Sequence, residues 1–278
     1  MKREGYEFFR NNGYLELGQV LSDDEATRYA ALFEREREMH GHFWRDTGIW
    51  QTIYGHALLT APEFDGLIRH PKIIEPLQAL MGGEVCFSEI CLRHMGPYAG
   101  EPVDALTSWD GPSGYRWHRD GGMRFMLEEH PLRMGLVAAL VYLADVSEAT
   151  HSFSISPEAA DDEILSKEAR VARSGVRELH GRAGTVVLFN VSVLHTVTVR
   201  PTKLERKTAQ IGYGHLQRGD IEGASASVVP ASLWSDHPDE ETRRFYGVLN
   251  SRTRKFRELT ADRDELPADE ALDILADL

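Results

Sequence analysis

Residues 115–122 read YRWHRDGG, with His118 and Asp120 two positions apart. On an extended segment both side chains fall on one face, while Trp117 and Arg119 fall on the other. The two glycines that follow let the chain turn close to whatever the pair holds. An imidazole nitrogen and a carboxylate oxygen both suit a borderline divalent metal such as Fe(II), but two ligands alone select and hold it poorly. A third candidate, His195, stands in LFNVSVLHTVTV. A His-x-Asp pair with a remote His makes a two-histidine, one-carboxylate facial triad, which keeps coordination positions open for oxygen chemistry. A structural zinc site would be closed by a fourth protein ligand, and the sequence nominates none clearly. The competing reading of His118 and His195 is as buried, hydrogen-bonded core residues of an inactive barrel.

Arg206 follows His195 by eleven positions in HTVTVRPTKLERKTAQIGYG, and strand alternation places Arg206, Thr208 and Gln210 on one face. A guanidinium can grip a carboxylate through two parallel hydrogen bonds, and the Thr208 hydroxyl can add another. A 2-oxo acid with a second, distal carboxylate fits this pattern, its keto-acid end on the metal and its far end on Arg206. The alternatives are a surface ion pair for Arg206 and an ordinary strand role for Thr208.

Elements that position these residues are visible in the pattern. LSDDEATRYAALFEREREMH predicts a helix, with Ser22 and Glu25 forming a capping box and Ala26, Tyr29, Ala30 and Phe33 an apolar stripe. HPKIIEPLQALMG predicts a second helix, with Pro76 inside it as a residue that can kink or split it. From EVCFSEICLRHM onward the chain turns to short extended runs: 135–146, 184–191, 195–199 and 207–216. Such spacing favours a closed or double-sheet antiparallel body over βαβ units, and no glycine-rich phosphate loop appears. PDEETRRFYGVLNSRTRKF reads as one further helix. Residues 1–256 are read as one domain, and 257–278 as an acidic C-terminal tail, either solvated or a short amphipathic capping helix using Leu272 and Leu275.

Bulk properties narrow the function classes. The chain has 278 residues, 42% of them hydrophobic, enough for one large core without disulfides. Its two cysteines, Cys86 and Cys91, make neither an oxidised framework nor a zinc spacing. A formal charge of −13 opposes binding to nucleic acid, and no apolar run is long enough to cross a bilayer or serve export. A cytoplasmic protein with no nucleic-acid or membrane partner is expected; the oligomeric state is not legible. Glu158, Asp161, Asp162 and Glu163 read as a solvated loop or helix start. His130 and His151 are candidate mouth residues, His215 a structural one. Phe43, Trp44, Trp50 and Tyr54 either line an apolar mouth or anchor the N-terminal segment to the barrel.

The His118-Arg119-Asp120 motif, distal His195 and Arg206 eleven residues beyond resemble the Fe(II)- and 2-oxoglutarate-dependent dioxygenases of the phytanoyl-CoA dioxygenase superfamily, over roughly residues 5–255. That resemblance implies an all-β core with flanking helices, a double-stranded β-helix of the jelly-roll, cupin-like kind. It also implies His118, Asp120 and His195 as iron ligands, and Arg206 with Thr208 as the grip on 2-oxoglutarate. A second polar contact to the cosubstrate is implied too, with Ser88 and Arg93 as possibilities. Many relatives carry Gly-x-Leu and then Pro-Gly-Ser-His before the distal histidine; here ADVSEATHSFSISPEAAD keeps only Pro157, so loop contacts toward substrate do not carry over. The implied reaction joins oxygen, 2-oxoglutarate and a small organic molecule, giving succinate and carbon dioxide. Asp120 argues for hydroxylation over halogenation, since related radical halogenases have a small residue there. Desaturation, ring formation and endoperoxide formation would use the same triad. The reading from another class is a non-catalytic β-barrel binding protein, and a lower-placed one is a cupin-like iron oxygenase that needs no oxoacid.

Overall fold

The computed structural model describes residues 1–48, 51–101, 117–121, 125–217, 227–261 and 266–276. Its strands are β1 (Tyr14–Gln19), β2 (Arg45–Asp46), β3 (Gln51–Tyr54), β4 (Val85–Met95), β5 (Leu136–Tyr142), β6 (Ser152–Ile155), β7 (Arg177–Leu179), β8 (Thr185–Asn190), β9 (His195–Thr198) and β10 (Arg206–His215). They form a seven-stranded sheet, ordered β1-β8-β5-β10-β4-β3-β2, and a three-stranded sheet, ordered β7-β6-β9. Every ladder is antiparallel.

Alternation on the large sheet separates two cores. Val137, Ala139 and Val141 of β5, with Val186 and Leu188 of β8, pack against the helices. Leu136, Ala138, Leu140 and Tyr142, with Val187 and Phe189, face Phe153, Ile155 and Leu179 of the small sheet. The β5 run is thus apolar at every position because both faces are covered. The Tyr142 hydroxyl donates to the Leu179 carbonyl at 2.6 Å, tying the sheets together.

The helix Asp23–His40 begins at the expected capping box and buries Ala26, Tyr29 and Phe33. The expected helix is present as one element, Pro71–Met81, and is not split at Pro76. Ile73, Leu77, Leu80 and Met81 are buried along it, and each contributes about 1.5–3 kcal/mol, more than offsetting an internal proline's cost of about 3 kcal/mol. The stretch read as one late helix is two, Glu240–Tyr246 and Ser251–Leu259. Asp239 caps the first and Asn250 the second, so a local N-terminal signal restarts the helix. The acidic C-terminal segment contains a docked helix, Ala268–Ala276, which buries Ala271, Leu272 and Leu275. Among the described residues no helix is long and apolar enough to cross a membrane.

Candidate active site

His118 lies on a segment that pairs with the first residue of β9. His118 and His195 exchange both main-chain hydrogen bonds at 3.0 Å, and the Asp120 amide donates to the Val191 carbonyl at 2.9 Å. This short extension of the small sheet brings side chains 77 residues apart in sequence (195 − 118) to one point. Asp120 Oδ1 is 3.4 Å from His118 Nε2, and Asp120 Oδ2 is 3.6 Å from His195 Nε2. The three residues each offer a ligand atom, all within 4.8 Å of one another.

The electrostatics suit a cation. Burial works against charge on Asp120, yet the His195 and His118 imidazoles prevail and hold its carboxyl well below the usual carboxylate range. Burial, reinforced by His118, pushes the His195 pKa down, so its ring is neutral near pH 7. His195 Nδ1 lies 2.8 Å from the Val193 carbonyl, which fixes the proton there and leaves the Nε2 lone pair facing Asp120. Phe153 and Phe189 pack beside the ring at centroid separations of 5.6 and 5.1 Å. A divalent metal fits this set: cis donors around an ion with bonds of about 2.1 Å lie about 3 Å apart, close to the separations seen.

The cavity beside the triad is lined by Gln51, Arg93, His118, Phe153, His195 and Arg206, among others, with Gln210 next to Arg206 on the same face of β10. Arg206 is buried; among the described residues its Nη1 reaches only the Met95 sulfur, at 3.4 Å, and its Nε has no partner. Burial lowers its pKa to about 10, the largest influence on it. Thr208, one alternation further along β10 on the same face as Arg206 and Gln210, is wholly buried, and its hydroxyl has no partner among the described residues. Arg93 sits opposite Thr208 in the β4–β10 register and faces the cavity, its Nε also unpartnered. Ser88 is not part of that lining; it stands an odd five positions from Arg93, at the unpaired position of a bulge between Glu89 and Phe87. Gln51, which sequence reasoning missed, presents a buried Oε1 with no partner. Buried donors left unpaired are costly, so this wall is built for a polar ligand.

Arg119 points away from the triad, as alternation requires, and there corrects an expectation. Glu158 is buried, not solvated, and takes Arg119 through both guanidinium nitrogens and Arg170 at 3.3 Å. Arg170 is itself fully buried and also bonds Asp162 at 2.6 Å. Glu158 thus anchors the turn that carries Asp120. Glu158→Ala leaves Arg119 without its carboxylate and is expected to lower the unfolding free energy by about 3–5 kcal/mol. Urea denaturation checks it; a change under about 0.5 kcal/mol would place the anchor elsewhere.

Other candidates resolve structurally. Trp117 is buried with Val171 and Leu194. His130 lies 3.2 Å from the Met81 carbonyl, and His151 lies 3.1 Å from the Gly96 carbonyl, so both hold loops rather than a mouth. Trp44 and Tyr54 stack at 5.5 Å and anchor their segment. Gly121 adopts φ +62° in the turn after Asp120. Trp50 and Gly122 lie outside the described residues.

The family model described as phytanoyl-CoA dioxygenase matches residues 9–198. Solved structures with the same fold include the epimerase SnoN in complex with Fe3+, alpha-ketoglutarate and nogalamycin RO, at 17% identity and TM-score 0.60, over 77% of this chain and 83% of that one. EctD from S. alaskensis with 2-oxoglutarate and 5-hydroxyectoine has 17% identity and TM-score 0.60, over 78% and 77%. HygX from Streptomyces hygroscopicus with nickel, 2-oxoglutarate and hygromycin B has 21% identity and TM-score 0.53, over 77% and 87%. The two-sheet body is accordingly a double-stranded β-helix. No curated protein sequence matches the chain.

Proposed function

This chain belongs to the phytanoyl-CoA dioxygenase family, and from that premise, which makes it an iron(II)- and 2-oxoglutarate-dependent oxygenase, we propose that it hydroxylates an unactivated C–H bond of a small organic molecule. In this reading His118, Asp120 and His195 hold the iron, Arg206 binds the distal carboxylate of 2-oxoglutarate, and Arg93 supplies the second polar contact. When bound, iron and 2-oxoglutarate supply the oxidising chemistry, using oxygen to release succinate and carbon dioxide while the substrate is oxidised.

The protein's own part is placement. His195 arrives neutral, its lone pair already oriented by the Val193 carbonyl, so no proton must leave before it ligates. Asp120 is ionised and supplies one negative charge, which keeps a divalent ion firmly attracted without neutralising it. Arg206 brings a guanidinium into a nearly dry wall, where a hydrogen-bonded ion pair is stronger than in water. Phe153, Phe189 and Leu140 exclude solvent around the histidine. Thr208, on the same face of β10, offers its buried hydroxyl to the same carboxylate. The carboxylate at position 120 favours hydroxylation over halogenation, and the small-molecule ligands of the solved relatives support a small organic substrate.

The observation that carries this reading is the convergence of three ligand atoms next to a cavity that His118 and His195 share with a buried arginine, which has no acidic partner among the described residues. Anaerobic addition of 2-oxoglutarate to the Fe(II)-loaded protein is expected to produce a visible metal-to-ligand charge-transfer band. Absence of that band, with no oxoacid binding by calorimetry, would refute the proposal.

A further inference from the structure

A second cavity, of about 600 Å³, lies between β3, β4 and the C-terminal helix, within the size range of small-molecule sites. It adjoins the first. Gln51 and Arg93 face the metal-side cavity, while Ile53 and Cys91, each two residues further along the same faces of β3 and β4, line this one. Cys91 lies within electrostatic reach of both Asp120 and Arg45, which spans the distance from the triad to the far wall.

The chemistry of that wall runs against the chain as a whole. The protein carries a formal charge of −13, yet the described residues lining this cavity include Arg45 and Arg252 and no carboxylate. Among the described residues no acid forms an ion pair with either arginine. Arg252 Nη2 donates to the Leu275 carbonyl at 3.0 Å, which aims the guanidinium along the C-terminal helix, while its Nε is buried without a partner. Burial, then Arg45, lower the Arg252 pKa, as expected for a half-buried cation near another. His56 is pushed down to about 4 by burial and by Arg252, so it is neutral, and its buried Nδ1 also lacks a partner. Phe43 and Trp44 supply an apolar side.

We propose that this cavity is the chamber for the organic substrate and that the substrate is an organic anion. Its carboxylate or phosphate ester sits between Arg45 and Arg252, and its apolar or aromatic body lies along Phe43 and Trp44 toward the triad. The chamber's role rests on the oxygenase reading; the anion site itself does not. Two facing guanidinium groups hold such an anion through charge-assisted bonds, and the anion relieves their mutual repulsion.

The test uses the full chain and a panel of aryl-alkanoates and aryl-alkyl phosphates of graded length, each with its neutral amide or alcohol, titrated calorimetrically with nickel and saturating 2-oxoglutarate present. Acids are expected to bind at least about tenfold more tightly than their neutral counterparts. Carboxylate and phosphate arms then separate the two anion chemistries. Arg45→Gln and Arg252→Gln should each weaken acid binding about tenfold while leaving 2-oxoglutarate affinity unchanged. Arg206→Gln should do the reverse. Arg45 is exposed, so Arg45→Gln decides the matter where the Arg252 variant does not fold. The proposal is overturned by a panel with no preference for acids, by acid binding indifferent to Arg45→Gln, or by acid binding lost only in Arg206→Gln. Acid binding of the expected kind without a charge-transfer band would refute the oxygenase reading and leave the anion site standing.

Discussion

Replacing His195 with alanine is expected to abolish ferrous-iron binding and, with it, all formation of succinate. Loss of a residue that merely orients a metal ligand typically costs 10–100-fold in affinity, so loss of the ligand itself should exceed about 100-fold. His195 contributes more than its nitrogen. It is 5% exposed, wedged between Phe153 and Phe189, and its main chain holds the His118 segment in place. The His195 variant therefore combines lost chelation with lost packing, and a companion separates the two. His118 is 49% exposed, so His118→Ala should change stability by no more than about 0.5 kcal/mol while still losing the metal. Competition titration with Fe(II) and a succinate assay read both variants. A His118→Ala protein that retains wild-type iron affinity would dismantle the proposed ligand set.

Arg206→Met should have effects of opposite sign on the free and the loaded protein. The guanidinium is held at a pKa of about 10, below an arginine's ordinary value, so burying its charge costs about 3 kcal/mol. Among the described residues no carboxylate offsets that cost. The metal-free variant should be more stable than wild type by up to about 3 kcal/mol. Its KM for 2-oxoglutarate should rise by at least about 100-fold, and the thermal stabilisation that 2-oxoglutarate gives wild type should vanish. The pH dependence has a definite direction. The penalty is fully present below pH 10 and is relieved as pH rises through about 10, where the folded state sheds the proton first, so the gap between wild type and variant narrows there. Denaturation at pH 8 and above pH 10, with and without 2-oxoglutarate, measures all three effects. A less stable free variant with an unchanged KM would show Arg206 to be a packing residue.

The triad was legible because its chemistry is written in spacing: alternation alone sets His118 beside Asp120 and turns Arg119 away. The antiparallel body was legible for a similar reason, since β5, β8, β9 and β10 are short apolar or alternating runs bounded by turn residues. What was hidden lies in pairings with no local signature. Glu158 stands among acids that look solvated, and only the fold places Arg119 and Arg170 on it. Ser88 and Arg93 lie an odd five positions apart on one strand, so only one can face the cavity, and the pairing of β4 with β10 and β3 was needed to show that it is Arg93. Arg45 and Arg252 are separated by most of the chain, and nothing in their neighbours hints at a shared wall. The Pro71–Met81 helix was legible despite Pro76, because a strong apolar face outweighs one poor helix residue.

The single ladder pair joining His118 to His195 has a practical outcome for handling the protein. An ion gripping both imidazoles and Asp120 would act as a removable staple across a loop of 77 residues (195 − 118), added to the Asp120–Val191 hydrogen bond and the Arg119–Glu158 ion pair that also hold this segment. Chelator-treated protein should open at residues 117–121 before the rest of the barrel, and trypsin should nick it beside Arg119 much faster than the metal-loaded form. Digestion patterns would then report the state of the centre without any knowledge of the substrate.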